Sequence, residues 1–98
     1  MAKYVLAYTG GNMAATDEER QAAMAAWGAF LGGLGDALVD AGNPFGPSTV
    51  VGNGNGAALT GYTIITAGSL DEAAEKAKAA PVVGNGGGVE VYETLEVM

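Results

Sequence analysis

The side chains that could do acid–base chemistry in this sequence are carboxylates and phenols, because its 98 residues include no histidine and no cysteine. Asp36 and Asp40 are four residues apart, a spacing that places both carboxylates on one face of a helix. Paired carboxylates can bind a hard cation or transfer protons, so these two are the candidate catalytic residues. They fall near the predicted C-terminal end of a helix, where negative charge is unfavourable, and an earlier helix end is the alternative.

The four tyrosines form the second set of chemically active side chains, and all of them fall in predicted strands. Because side chains alternate along a strand, Tyr4 and Tyr8 share one face. If Tyr62 and Tyr92 share it too, the sheet face away from the helices is an aromatic patch. The patch has two interpretations, a dimer interface or the wall of a pocket for a small apolar or aromatic ligand.

The charge balance excludes several partners. The net charge is -7, so the chain lacks the basic surface that nucleic acids and anionic lipids require. No apolar run is long enough to span a membrane, and the first residues lack the pattern of a signal peptide, which predicts a cytoplasmic protein. Without cysteine and histidine, we expect neither a metal nor a cofactor. The cations are Lys3, Arg20, Lys76 and Lys78.

The first half of the chain predicts a strand and then a long helix. Residues 3–8 alternate as a strand does. Thr16 and Glu19 form a capping box that begins the helix, which ends between Gly35 and Ala41. Four glycines in this helix predict a close approach of its backbone to the sheet. The apolar stripe that should face the sheet consists of Met24, Trp27, Phe30, Leu31, Leu34 and Leu38.

The second half predicts two further strands, a helix and a last strand. The strands are 48–51 and 61–66, and the last one is 89–97. Ser69 and Glu72 form a second capping box before a helix that buries mostly alanine and that Pro81 ends.

The predicted order is β-α-β-β-α-β, the ferredoxin-like arrangement. The chain is then a single α+β domain over residues 1–98. Its antiparallel sheet carries both helices on one face and leaves the other face bare.

Four segments resemble the YCII-related (DGPF-domain) family. They are KYVLAY at 3–8, NPFGP at 43–47, the run from GYTII to SLDEA within 61–73, and GGVEVYE at 87–93. The similarity covers essentially the whole chain, and its most recognisable segments, SLDEA and GGVEV, are not catalytic motifs. The resemblance implies a ferredoxin-like fold, a dimeric α+β barrel formed by two sheets face to face, and a bacterial cytoplasmic setting.

The chain departs from the chemistry proposed for that family. Some members carry a histidine on the first helix and an aspartate directly before a proline, whereas this chain has no histidine and has Ala80 before Pro81. Close relatives tend to have histidine just after the first strand, where this chain has Thr9. The active-site pair is therefore not carried over. The candidate ligand-binding or dimer face comprises Tyr4, Tyr8, Thr9, Tyr62 and Tyr92.

Two functions stay open from the sequence, beside a purely structural role in which the sheet face serves only self-association. The first is a dimeric YCII-like domain that binds a small apolar or aromatic ligand between its sheets, which the missing active-site pair favours over catalysis. The alternative is a cofactor-independent enzyme of the dimeric-barrel kind, an isomerase, lyase or oxygenase, in which Tyr8, Tyr62 or the two aspartates move protons. Catalysis requires two of these groups to converge on one cavity.

Overall fold

The computed structural model describes residues 2–11, 15–54 and 58–96. Within these ranges, short 3-10 turns at Gly35–Ala37 and Val83–Asn85 follow the first and the second helix. Residue 97 of the predicted last strand lies outside the described residues. The helices and strands are β1 (Ala2–Thr9), α1 (Asp17–Leu34), β2 (Leu38–Asp40), β3 (Leu59–Ala67), α2 (Leu70–Ala77) and β4 (Gly88–Glu93).

The strands form one antiparallel sheet in the order β2-β3-β1-β4. β1 is therefore central and pairs with β3 on one side and β4 on the other. Side chains of α1 and α2 join the same hydrophobic core, so both helices cover one face of the sheet. The predicted α+β class and ferredoxin-like order are confirmed.

The alternation along β1 separates a buried face from an open one. Tyr4, Leu6 and Tyr8 point to the helix side, where each is at most 5% exposed. Leu6 lies opposite Thr63 in β3, and Tyr4 lies opposite Ile65, so these β3 residues face the helices as well.

The second strand does not lie where the sequence predicted it. Residues 48–51 are exposed and form no strand, whereas β2 is the short segment directly after α1. The edge of β3 is already occupied, because Pro44 bridges Gly61 and the amide of Phe45 donates to the carbonyl of Thr60 at 2.9 Å. Residues 38–45 thus cover that edge of β3, so 48–51 do not pair with it.

α2 follows the sequence closely. The Ser69 hydroxyl accepts from the amide of Glu72 at 3.1 Å, and the Glu72 carboxylate accepts from the amide of Gly68 at 2.9 Å. The helix buries Ala73 and Ala77 fully against the sheet. Methyl side chains at this spacing bring the helix backbone close to the strands.

α1 is anchored by its second half only. Thr16 caps it as predicted, and its fully buried side chains, Phe30 and Leu34, lie in the last two turns. Met24, predicted to face the sheet, is 74% exposed. The predicted close approach at the helix glycines is wrong, because a Cβ on Gly28 would meet nothing within 4 Å; the same holds for Gly32, Gly33 and Gly35.

Within the described ranges, neither α1 nor any other helix has the length and the apolar character needed to cross a membrane.

Candidate functional site

A cavity of about 880 Å³ lies between the first half of α1 and the helix-side face of the sheet. The end of β1 and the start of β3 form its floor, and residues 41–44 and 81–85 border it from either side. The sequence placed a pocket on the face away from the helices. In the single chain, this cavity lies on the opposite side of the sheet.

The wall that α1 contributes is apolar. Trp27 and Leu31 line the cavity, and so do the methyl groups of Ala22, Ala23 and Ala26. These alanines are exposed, because the helix stands off the sheet at this end. Space of this kind suits the hydrocarbon part of a small molecule.

Trp27 keeps the first half of α1 away from the sheet. Its ring meets Tyr8 edge-on, with centroids 4.9 Å apart, and meets Phe30 in the same way at 5.8 Å. Perpendicular contacts of this kind are the favoured geometry of aromatic pairs. The sequence predicted Trp27 as core; it packs against the core and also forms a wall of the cavity.

Two buried hydroxyls form a hydrogen-bond chain at the cavity floor. The Tyr8 phenol donates to Thr63 Oγ1 at 2.7 Å, and Thr63 Oγ1 donates to the carbonyl of Ala41 at 3.0 Å. Burial raises the pKa of Tyr8, and the hydrogen bond with Thr63 lowers it by less. The phenol therefore stays protonated at neutral pH, and its oxygen can still accept a hydrogen bond from a ligand.

Gly42 shapes the β2 side of the cavity. Its φ is +74°, and a Cβ at this position would lie 1.8 Å from the carbonyl oxygen of Tyr62. The amide of Gly42 donates to Asp40 Oδ1 at 2.9 Å. Only glycine fits here, and Asp40 holds the turn that presents it.

Asp36 and Asp40 do not form the predicted pair. α1 ends at Leu34, so Asp36 lies in the following 3-10 turn and Asp40 lies in β2. Both are exposed, and neither lines the cavity. Gly35, with φ +56°, ends the helix before the spacing of four residues could bring the carboxylates onto one face.

A tight contact closes the cavity where β1 ends. Gly87 packs closely on the end of β1. A Cβ on Gly87 would lie 2.3 Å from the carbonyl oxygen of Thr9 and 2.5 Å from a methyl carbon of Val82. Gly10 and Gly11, both with positive φ, lie against the same segment. Gly10 and Gly11 after β1 and Gly87 before β4 therefore allow the two backbone segments to pack closely at the rim of the cavity.

The four tyrosines do not share a face. Tyr4 and Tyr8 belong to the core under the helices, whereas Tyr62 lies opposite Ala7 and Tyr92 opposite Val5, on the open face. Thr9 lies opposite Gly88 in β4, the strand that contains Tyr92. The reason is register: pairing sets Tyr62 and Tyr92 against the odd-numbered residues of β1.

The open face has an aromatic cluster of its own. Tyr62 stacks on Phe45, with centroids 5.8 Å apart and planes inclined by 25°. Tyr92 is 54% exposed and donates to Glu90 at 2.9 Å, a hydrogen bond that raises the pKa of Tyr92. Phe45 was not predicted as part of this face, because only the bridge between Pro44 and Gly61 places it there.

Within the described ranges, no three acidic side chains gather closely enough to hold a metal ion.

Comparison with known proteins identifies the family. The family model described as YCII-related domain matches residues 1–98, the whole chain. Neither a curated protein nor a solved structure matches it.

Proposed function

The chain belongs to the YCII-related domain family, and from this premise we propose that it binds a small, largely apolar molecule in the cavity beneath α1. One observation carries the proposal: a cavity of about 880 Å³ walled by Trp27, Leu31 and alanine methyls, with Tyr8 at its floor. Ligand cavities in proteins typically have roughly 300–1,000 Å³ and combine apolar walls with a few polar groups.

The polar groups supply orientation. Tyr8 donates its hydroxyl proton to Thr63, and Thr63 donates its own to the carbonyl of Ala41, so both hydroxyl donors already have acceptors within the protein. The Tyr8 oxygen offers acceptor capacity, and a hydroxyl or amine of the ligand is the matching group. The preferred ligand is therefore an aromatic or aliphatic body with at least one hydrogen-bond donor.

The enzymatic alternative has less support. Of its four candidate groups, Tyr8 lies at the cavity floor, Tyr62 borders the cavity but stacks its ring on Phe45 on the open face, and neither aspartate lines the cavity. Because burial raises the pKa of Tyr8, this phenol is a poor base at neutral pH. Binding needs no proton transfer, so the geometry favours it.

A second part of the proposal is self-association through the open face. The open face has an apolar surface, which no element of residues 2–11, 15–54 and 58–96 covers in the single chain; it consists of Val5, Ile64 and the stacked rings of Tyr62 and Phe45. A second copy placed against this face would give the dimeric barrel that the family resemblance implies. A ligand space between the two sheets would then be separate from the cavity beneath α1.

Filling the cavity tests ligand binding. Ala26→Phe places a ring in the cavity, whereas Ala25→Phe adds the same ring on a neighbouring residue that does not line it. We expect the neutral dye N-phenyl-1-naphthylamine to bind the parent protein and Ala25→Phe but not Ala26→Phe. Trp27 is the only tryptophan, so its fluorescence reports occupancy directly. Equal dye binding by both variants would contradict the proposal.

Sedimentation velocity tests self-association. Tyr92→Glu adds a charge to the open face, and Met24→Glu adds one to exposed α1. We expect a dimer for the parent protein and for Met24→Glu, and a monomer for Tyr92→Glu. A parent protein that sediments as a monomer at all concentrations would refute this part.

The cytoplasmic setting that the resemblance implies belongs to the same proposal. Cell fractionation followed by detection of the chain tests it, and recovery in an extracytoplasmic fraction would reject it.

A further inference from the structure

We infer that the cavity beneath α1 selects ligands that carry a positive charge beside their apolar body, such as organic ammonium ions, through the carboxylate of Glu19. This inference rests on the proposed ligand binding and adds the class of ligand. It follows from the charges around the cavity, from the way Glu19 is held, and from the aromatic wall.

The charge around the cavity has one sign. Among the described residues that line it, Glu19 is the only charged one. The nearest cation in sequence, Arg20, is paired with Asp17 and does not line the cavity. The residues outside the described ranges have no charged side chains, so they add no neutralising partner.

The other cations also do not line the cavity. Lys78, which caps the end of α2, pairs with Glu75 at 2.7 Å, and Lys76 in α2 lies 4.0 Å from Glu72. Lys3 lies near the start of β1, at the far end of that strand from the cavity floor. An anionic ligand would therefore find no basic side chain among the described lining residues.

The fold fixes the position of the Glu19 carboxylate. Its Oε2 accepts from the amide of Ala15 at 2.8 Å, as part of the cap of α1. A carboxylate has further acceptor positions, so the capping bond leaves capacity for an ammonium donor. The charge is held beside the cavity by the cap and costs little ordering when a ligand arrives.

The positive end of the α1 dipole does not reverse this preference. Asp17, Glu18 and Glu19 all lie in the first turn, and their charges outweigh the partial positive charge of the helix start.

The aromatic wall acts in the same direction as the carboxylate. Trp27 and Tyr8 both line the cavity. The faces of aromatic rings carry negative charge density and attract organic cations. Since Glu19 is exposed, water and salt screen its charge, and we expect about a tenfold preference at low ionic strength.

Three naphthalene probes of matched size separate charge from apolar fit. They are 2-naphthylmethylammonium, neutral 2-naphthylmethanol and anionic 2-naphthoate, and their affinities for the full chain are measured by isothermal titration calorimetry. We expect the ammonium to bind about tenfold more tightly than the alcohol, and the carboxylate to bind least. In high salt, the ratio of the first two should fall towards one, because screening weakens the interaction with Glu19.

Two variants then assign the preference to one carboxylate. Glu19→Gln removes the charge but keeps an amide oxygen for the cap. Glu18→Gln changes the net charge by the same one unit at a residue that does not line the cavity. We expect the ammonium-to-alcohol ratio to fall to about two or less in Glu19→Gln and to stay at the parent value in Glu18→Gln.

The outcomes distinguish this inference from the proposed function. If the ammonium and the alcohol bind the parent protein equally, or if both variants change the ratio alike, charge selection by Glu19 is wrong while ligand binding stands. If none of the three probes binds, the proposed function itself fails.

Discussion

The two helices begin alike and then behave in opposite ways. Each starts with a hydroxyl cap and a glutamate three residues later, and each is rich in alanine. In α2 the alanines at 73 and 77 are at most 4% exposed and touch the sheet. In α1 the alanines at 22, 23 and 26 line an open cavity.

The difference comes from the residues between the alanines. The buried side chains of α2 are alanines, so its backbone approaches the strands. α1 carries Trp27, whose edge-on contact with Tyr8 separates its first half from the sheet. The largest side chain on a helix face sets the distance between that helix and the sheet. This distance decides whether an alanine on the same face packs against the sheet or lines a cavity.

The largest expected effect tests the anchoring of α1. Phe30→Ala should destabilise the fold by about 3–5 kcal/mol, because it empties a buried aromatic site. Met24→Ala, on the exposed side of the same helix, should change stability by about 0.5 kcal/mol at most. Urea unfolding followed by circular dichroism measures both, and similar losses would show that α1 is held along its whole length.

The same substitution in both helices sharpens the comparison. Ala73→Leu should cost about 1–3 kcal/mol, since no space is left beside this methyl group. Ala26→Leu should cost less than about 0.5 kcal/mol, because its added carbons enter the cavity. Urea midpoints report the two values. Equal costs would mean that the cavity is not open in solution.

Tyr8→Phe tests the floor of the cavity. Losing the hydrogen bond to Thr63 should cost about 1 kcal/mol at neutral pH, and Thr63 keeps its bond to Ala41. Burial raises the pKa of folded Tyr8 above its ordinary value of 10.0. The unfolded chain therefore releases this proton first, and the contribution of Tyr8 to stability is lost as pH rises above about 10.

The variant should thus show a smaller loss of stability above pH 10 than the parent protein. Thermal unfolding between pH 8 and pH 11 measures the difference, and Tyr62→Phe, which keeps the ring stacked on Phe45, is the control. If Tyr8→Phe and the parent protein lose stability identically between pH 8 and pH 11, ionisation of a buried Tyr8 does not contribute to the alkaline loss of stability.

The smallest effect concerns the two caps. Ser69→Ala should lower global stability by about 1 kcal/mol, because the start of α2 is tied to the packed part of the fold. Thr16→Ala should cost roughly half as much or less, since the first turns of α1 can open locally over the cavity. Urea unfolding gives the global values, and amide hydrogen exchange in α1 detects the local opening. A larger loss for Thr16→Ala would reverse the comparison.

Local patterns in the sequence predicted most of the fold. Both capping boxes form at the expected residues, and the alternation of β1 correctly puts Tyr4 and Tyr8 on one face. These features depend on neighbours within one element. The order of the elements then limits the topology to few choices.

The misplaced second strand and the split of the tyrosines between two faces both concern pairing between distant segments. Ile64 and Ile65 are adjacent and equally apolar, so the pattern of β3 does not choose which of its faces is buried. The register with β1 makes that choice and sends Tyr62 to the open face. Likewise, residues 48–51 have good strand propensity, but residues 38–45 already occupy the edge of β3. The cavity in turn depends on how far Trp27 holds α1 from Tyr8 in the sheet.

The central position of β1 has a consequence for how the protein forms. This strand precedes the other three along the chain, yet both of its partners, β3 and β4, come from the second half of the given sequence. Pairing over such separations makes folding slow, because long loops must close before the contacts form. During synthesis both edges of β1 stay unpaired until β3 and β4 have been made, so the sheet can form only after most of the chain has emerged.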